Sequence, residues 1–213
     1  MATSFQSPFT ERVRAARIVA VIRTTSAEIA TSVGRAVVRG GITALEVAFT
    51  TPQAELAVAQ LRRELPTVLV GAGTILDEAM LEAACAAGAE FLLSPHLDER
   101  LVALARARGV PFLPGALTPT EIQRAWAVGA ACVKVFPAHV VGPQYLEVVR
   151  APLPHVPLLP MGGISADNLG DWLAAGALAV GVGASVFRGT EAEIEENARR
   201  LVAARLHFET GQN

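Results

Sequence analysis

Short apolar runs alternate with longer amphipathic stretches along this chain, at the roughly 20- to 25-residue spacing of successive βα units. The apolar runs fall at 18–22, 44–48, 68–71, 91–94, 111–113, 132–136, 157–160 and 178–182. They are nearly continuous rather than alternating, as expected of parallel strands covered on both faces. The stretches between them carry helix-start signals: Ser26 precedes Ala27-Glu28, Thr51-Pro52 stands before 53–63, and Asp77-Glu78 opens 79–87. Thr118-Pro119-Thr120-Glu121 puts Pro at the first helical position and an acid in the first turn. Gly88, Gly109, Gly129 and Gly176 stand where a helix should stop before the next strand, since Gly adopts the left-handed conformation of a short αβ turn. Eight such strands with intervening helices predict an α/β protein, a (β/α)8 TIM barrel. Residues 1–17 form an N-terminal extension in this reading, with 8–17 as a helix over the bottom of the barrel. A doubly wound open sheet is the alternative architecture.

Composition narrows the class. A chain of 213 residues suits one domain spanning 1–213. With 52% hydrophobic and 18% charged residues, disorder is excluded. A net charge of −2 without a basic block argues against a nucleic-acid partner. Cys85 and Cys132 lie in apolar segments without CxxC spacing, which predicts reduced core thiols and a cytoplasmic protein. The apolar run 18–22 is too short for a signal-peptide core. The uncharged run 172–187 is broken by Gly176, Gly181 and Gly183, whereas a membrane span needs about 20 apolar residues. The expectation is a soluble chain with no membrane partner.

Lys134 changes the picture, because it interrupts Ala131-Cys132-Val133-Lys134-Val135-Phe136-Pro137, a run that otherwise reads as a buried strand. Lysine is rarely buried unless it is paired. Removing an ammonium from water favours the neutral amine, which condenses with a carbonyl to form a Schiff base. Glu46, in Leu45-Glu46-Val47-Ala48-Phe49, is the second buried-looking charge. A carboxylate beside a Schiff-base lysine can move protons at the neighbouring carbon and hydroxyl. The structural alternative is an ion pair that only sets strand register, although desolvation offsets most of such a pair's attraction.

Barrel chemistry belongs at the C-terminal ends of the strands. Those positions hold Arg23, Glu46, Thr74, Pro95, Gly115, Lys134, Gly162-Gly163 and Gly183-Ala184-Ser185. The last two groups follow the seventh and eighth strands, where barrels commonly bind phosphate on unobstructed backbone N–H groups. The alternative is that these glycines only permit tight turns. His96, His139, His155 and His207 show no metal-ligand spacing, and no acidic cluster accompanies them, so no metal site is expected. His96 and His139 follow strands at the rim, as contacts to substrate or solvent.

Four segments together resemble the 2-keto-3-deoxy-6-phosphogluconate (KDPG) / 4-hydroxy-2-oxoglutarate (KHG) aldolase family. They are Gly40-Gly41-Ile42-Thr43-Ala44-Leu45-Glu46-Val47, Val70-Gly71-Ala72-Gly73-Thr74-Ile75-Leu76, Leu113-Pro114-Gly115-Ala116-Leu117-Thr118-Pro119-Thr120-Glu121 and Val133-Lys134-Val135-Phe136-Pro137-Ala138. The resemblance runs over 18–187 in the family's order and spacing. It implies a (β/α)8 barrel, a cytoplasmic homotrimer, and a class I lyase that uses neither metal nor cofactor. The implied substrate is a small keto-acid or phosphosugar acid of carbohydrate metabolism, in the Entner–Doudoroff pathway. The resemblance implies Lys134 as the Schiff-base residue, Glu46 as the proton carrier and Thr74 as a partner of the pyruvate carboxylate. It also implies Pro95 and Phe136 as walls beside the imine, and Gly162, Gly163 and Ser185 as the phosphate site, to which the glycine-rich run after the eighth strand adds Gly183 and Ala184.

Two positions depart from the family pattern. Thr50 stands where many KDPG-cleaving members carry Arg, and Arg23 at the end of the first strand supplies the charge instead. Met161 stands where those members carry Thr facing the substrate hydroxyls. Val141-Gly142-Pro143-Gln144-Tyr145 is similar to the galactonate-type aldolases, which keeps gluconate-, galactonate- and oxoglutarate-type substrates open. A phosphate-binding barrel isomerase or synthase would use the glycine cradle without needing Lys134. A non-catalytic barrel would need neither charge.

Overall fold

The computed structural model describes residues 8–183 and 186–211. Each apolar run of the sequence becomes a parallel strand: β1 (Ile18–Ile22), β2 (Ala44–Ala48), β3 (Leu69–Gly73), β4 (Leu92–Leu93), β5 (Phe112–Leu113), β6 (Gly115–Ala116), β7 (Val133–Val135), β8 (Leu158–Pro160) and β9 (Val180–Val182). The helices are α1 (Pro8–Ala16), α2 (Ala27–Arg39), α3 (Ala54–Glu64), α4 (Glu78–Ala86), α5 (Glu99–Ala107), α6 (Pro119–Ala127), α7 (Pro143–Arg150), α8 (Leu169–Ala174) and α9 (Glu191–Thr210). A 3₁₀ turn, Ala138–Val140, lies between β7 and α7. No described helix is long and apolar enough to cross a membrane.

The strands form a curled α/β fold of two parallel sheets. One has the order β5-β4-β3-β2-β1-β9 and the other the order β6-β7-β8. The sheets meet at both edges. Met161 bridges to Gly181, and Leu178 N donates to Leu158 O at 2.9 Å, joining β8 to β9. On the other side Ala131 N donates to Phe112 O, and Lys134 N to Pro114 O, each at 3.0 Å.

The single expected strand at 111–113 is therefore two short strands flanking Pro114. Proline has no N–H to give to a ladder, so the pairing breaks there while its carbonyl still accepts a bond.

Alternate residues of the strands enter two different cores, which is why the runs are apolar at every position. Ile18, Ala20 and Ile22 of β1, Leu45 and Val47 of β2, and Val70 and Ala72 of β3 pack outward against the helices. Val19, Ala44, Leu69, Phe91, Leu93, Leu113, Cys132 and Leu159 fill an inner cluster. Phe9 and Val13 of α1 belong to that inner cluster, with the Phe9 ring 5.6 Å from the Phe91 ring. The expected N-terminal helix thus plugs the bottom of the curled sheet; residues 1–7 lie outside the described residues.

Helix ends follow the start and stop signals with one exception. Ser26, Asp77 and Thr118 cap α2, α4 and α6 with their side chains, and Thr118 with Glu121 completes a capping box. Gly88, Gly109, Gly129 and Gly176 take left-handed φ values of 81°, 70°, 101° and 90°. The exception is α3. Its N-cap is Gln53, itself left-handed at φ 56° and without a side-chain cap bond. Thr51 is fully engaged elsewhere, as described below.

Candidate active site

Glu46 and Lys134 each lie two residues beyond a member of the inner cluster, Ala44 and Cys132, on strands whose side chains alternate in direction. Both side chains therefore point to the inside of the curled sheet. Glu46 is 1% exposed and Lys134 7% exposed. The Lys134 Nζ sits 4.9 Å from the centroid of the Phe136 ring, whose π face attracts a cation. Phe136 itself is exposed at the rim.

The Glu46 carboxylate occupies a space made by glycine. A Cβ on Gly73 would overlap Glu46 Oε1, and one on Gly71 would stand 2.5 Å from the Phe91 ring. Glycine inside a strand commonly marks such a close approach. Burial pushes the Glu46 carboxyl above the ordinary carboxylate range, while the charges of Lys134 and Arg23 pull the other way. Its Oε2 is buried without a hydrogen-bond partner among the described residues. A buried carboxylate oxygen without a protein partner can accept a hydrogen bond from water or from a bound group.

Arg23 follows β1 and is exposed at the mouth. Its Nη2 donates to Thr74 Oγ1 at 3.3 Å. Thr74 follows β3 with φ 59°, a conformation that L-residues other than Gly seldom adopt. Strain of this kind gathers at functional sites. Thr50 is exposed on the turn after β2. Its neighbour Thr51 is 2% exposed, and its Oγ1 accepts a hydrogen bond from Thr24 N at 3.1 Å. The residue that the sequence offered as a helix-start signal is a clamp between the loops after β1 and β2.

Pro95 follows β4, half-buried, with its carbonyl pressed against Gly115, where a Cβ would collide with it. Met161 is 3% exposed; its side chain belongs to the inner cluster and covers Gly181. Gly162 and Gly163 turn with φ 102° and 75°. Asn168 fixes that turn, donating to Gly163 O and accepting from Ser165 N, each at 2.9 Å. Gly183 follows β9, and among the described residues nothing lies within 4 Å of where its Cβ would be. Ala184 and Ser185 lie outside the described residues. Arg23, Glu46, Thr74 and Lys134 are thus gathered at one end of the sheet, with Gly162-Gly163 beside the turn that follows β7. Gly73 and Thr51 are positions at the site that the sequence reading did not single out as such. The Gly71-Ala72-Gly73 pattern inside a strand was the available signal for the first.

An inward-facing lysine and carboxylate at one end of a parallel α/β sheet suit carbonyl chemistry, and comparison with known proteins is specific. The profile of the KDPG and KHG aldolases matches residues 9–202, and the chain belongs to that family. It is 38% identical over 165 residues to the 2-dehydro-3-deoxy-phosphogluconate aldolase of Treponema pallidum, covering 77% of this chain and 79% of the relative. It is 33% identical over 173 residues to a probable 2-dehydro-3-deoxy-6-phosphogalactonate aldolase of Rhizobium meliloti, covering 80% and 82%. Among solved structures, KDPG aldolase from Legionella pneumophila, with pyruvate captured at low pH as a covalent carbinolamine intermediate, superposes with a TM-score of 0.84. That match is 27% identical and covers 92% of this chain and 99% of that one.

Proposed function

We propose that this chain is a class I aldolase that cleaves 2-keto-3-deoxy-6-phosphogluconate to pyruvate and glyceraldehyde 3-phosphate, and 4-hydroxy-2-oxoglutarate to pyruvate and glyoxylate. The observation that carries the reading is the pair of inward charges, Lys134 and Glu46, with Oε2 of Glu46 without a partner among the described residues. Lys134 Nζ attacks the C2 ketone, and loss of water from the carbinolamine leaves a protonated imine. Glu46 accepts the proton of the C4 hydroxyl. The C3–C4 bond breaks, its electrons pass to the imine nitrogen, and the aldehyde departs from the enamine of pyruvate. Glu46 then returns a proton to C3, and water hydrolyses the imine to free pyruvate and Lys134. The imine is the electron sink, so this route uses no metal or cofactor.

The remaining roles are carried over from the family resemblance. Arg23 and Thr74 hold the substrate carboxylate, which their mutual hydrogen bond supports. Thr50 lines the mouth beside them, and Pro95 and Phe136 wall the imine. Gly162, Gly163, Gly183, Ala184 and Ser185 take the phosphate. A closed (β/α)8 barrel is the architecture of this proposal, supported by the bonds that join the two sheets at both edges. The working unit is a cytoplasmic homotrimer in the Entner–Doudoroff pathway, with residues 1–213 as one catalytic unit; light scattering tests the assembly.

A galactonate-type substrate is the second reading. It is favoured by Met161, whose thioether gives the C4 hydroxyl no strong hydrogen bond, and by the Rhizobium meliloti relative. Rates on the two C4 epimers decide between them. The class itself is tested by borohydride reduction with pyruvate and peptide mass spectrometry. A pyruvyl adduct on Lys134, absent in Lys134→Met, is expected; no adduct on folded protein at saturating pyruvate would sink the reading.

A further inference from the structure

His139 stands in the 3₁₀ turn that follows β7, so one short segment carries both Lys134 and an imidazole. Its side chain lies flat against the glycine turn after β8. A Cβ on Gly163 would stand 2.6 Å from His139 Cβ, and a Cβ on Gly162 would stand 3.6 Å from His139 Nδ1. The two segments are tied together by Ala138 N donating to Met161 O at 2.8 Å. The turn is held from its other side by Asn168, so the backbone beside the ring is fixed. His139 is exposed, and among the described residues no hydrogen bond or ion pair engages its ring. The same wall includes Phe136, whose Cε2 lies 3.8 Å from the Gly162 Cβ position. The imidazole and the Lys134 end of the site therefore share one continuous surface.

We infer that His139 is a specificity-determining contact for the distal anionic group of the substrate, a phosphate monoester, completing the cradle that Gly162-Gly163 begins. This inference rests on the aldolase reading above. The chemistry is direct. A phosphate monoester presents acceptor oxygens only to its surroundings when fully ionised, and an imidazole N–H donates to them in any tautomer. Bonds to an ionised acceptor are about twice as strong as neutral ones. Backbone N–H groups at a glycine turn recognise the shape of an anion, and a side-chain donor beside them adds discrimination between a substrate with a distal phosphate and one without. A short substrate such as 4-hydroxy-2-oxoglutarate ends before this cradle and makes no such contact.

The test compares kcat/KM for 2-keto-3-deoxy-6-phosphogluconate and for 4-hydroxy-2-oxoglutarate in the parent, His139→Ala and His139→Asn. The Asn amide nitrogen stands near the position of Nδ1. The expected result for His139→Ala is a loss of about tenfold on the phosphorylated substrate, carried by KM, the size of one charge-assisted hydrogen bond. Activity on the short substrate stays within about twofold, and His139→Asn recovers most of the loss. Inorganic phosphate, as a competitive inhibitor, weakens in parallel in His139→Ala. Equal losses on both substrates, or no loss on either, overturn the inference. Pyruvate trapping on Lys134 in parent and variant keeps the two readings apart. No adduct in the parent sinks the aldolase reading, whereas an adduct with an unchanged substrate ratio sinks only the role of His139.

Discussion

The carboxylate of Glu46 lies against the bare α-carbon of Gly73, one strand away, at a separation that no side chain could share. That contact sets where the proposed proton carrier sits within the inner face of the sheet. It also makes Gly73 as much a part of the site as the residues that react.

Gly73→Ala is therefore expected to displace the carboxylate without removing it. A shift of about 1 Å in a catalytic group costs on the order of 10²-fold. Steady-state kcat should fall by about that factor, while circular dichroism and reductive trapping of pyruvate on Lys134 persist. Unchanged kcat would mean that the carboxylate is free to move.

Glu46→Gln keeps the volume and removes the base. General acid–base catalysis contributes about 10²- to 10⁴-fold, and kcat should drop within that range. The variant should also stop exchanging the methyl protons of pyruvate for deuterium, followed by proton NMR. In the parent the acid limb of the rate profile should stand above the ordinary glutamate value of about 4.3, because burial raises the Glu46 carboxyl and only its ionised form accepts a proton.

The same residue is expected to lower stability where it works best. A carboxyl whose folded-state pKa is raised contributes stability that is fully present below the ordinary range. That contribution is lost as pH rises through the folded value. Glu46→Gln should therefore melt above the parent at mildly alkaline pH, with the gap closing under acid conditions. Calorimetry at the two pH values checks the sign.

Thr51→Val removes the hydroxyl that holds Thr24 N, the residue next to Arg23. One such bond contributes about 1 kcal/mol, or about fivefold. The loss should appear as a raised KM for pyruvate-bearing substrates with kcat nearly unchanged, and Thr51→Ser should restore it. Equal losses in kcat and KM in both variants would point to misfolding of the loop instead.

Phe91→Ala tests the bottom of the sheet, where the ring packs between Phe9 and Gly71. Truncating a fully buried Phe costs about 3–5 kcal/mol, measurable by urea denaturation.

The strands were legible because a sheet packed on both faces needs apolar residues at every position, and so each run announces itself. Lys134 and Glu46 were legible for the same reason, as charges where the pattern allows none. Gly73 was not, since the meaning of a missing side chain depends on what stands opposite, across a strand pairing that only the fold supplies. Thr51 was misread because Thr-Pro before a helical stretch resembles a cap, and its true partner, Thr24, comes from another loop. The break at Pro114 escaped notice because one residue without an N–H changes hydrogen bonding while leaving hydropathy unchanged. His139 was visible at the rim as a contact to substrate or solvent, but its neighbour Gly163 was not, because that glycine arrives from the next βα unit.

The packing of α1 under the sheet has a kinetic consequence. With Phe9 and Val13 filling the lower end of the curled sheet, substrate approaches the reacting centre from the opposite end. In the cleavage proposed above, pyruvate stays bonded to Lys134 while the aldehyde is already free, so the aldehyde exits first through the entrance that the substrate used. In the synthetic direction the sequence reverses, and an aldehyde arriving before pyruvate would block the path to the amine. Under that proposal the covalent link to Lys134 makes pyruvate the first reactant in and the last product out, and the plug beneath the sheet leaves both reactants to use the same end.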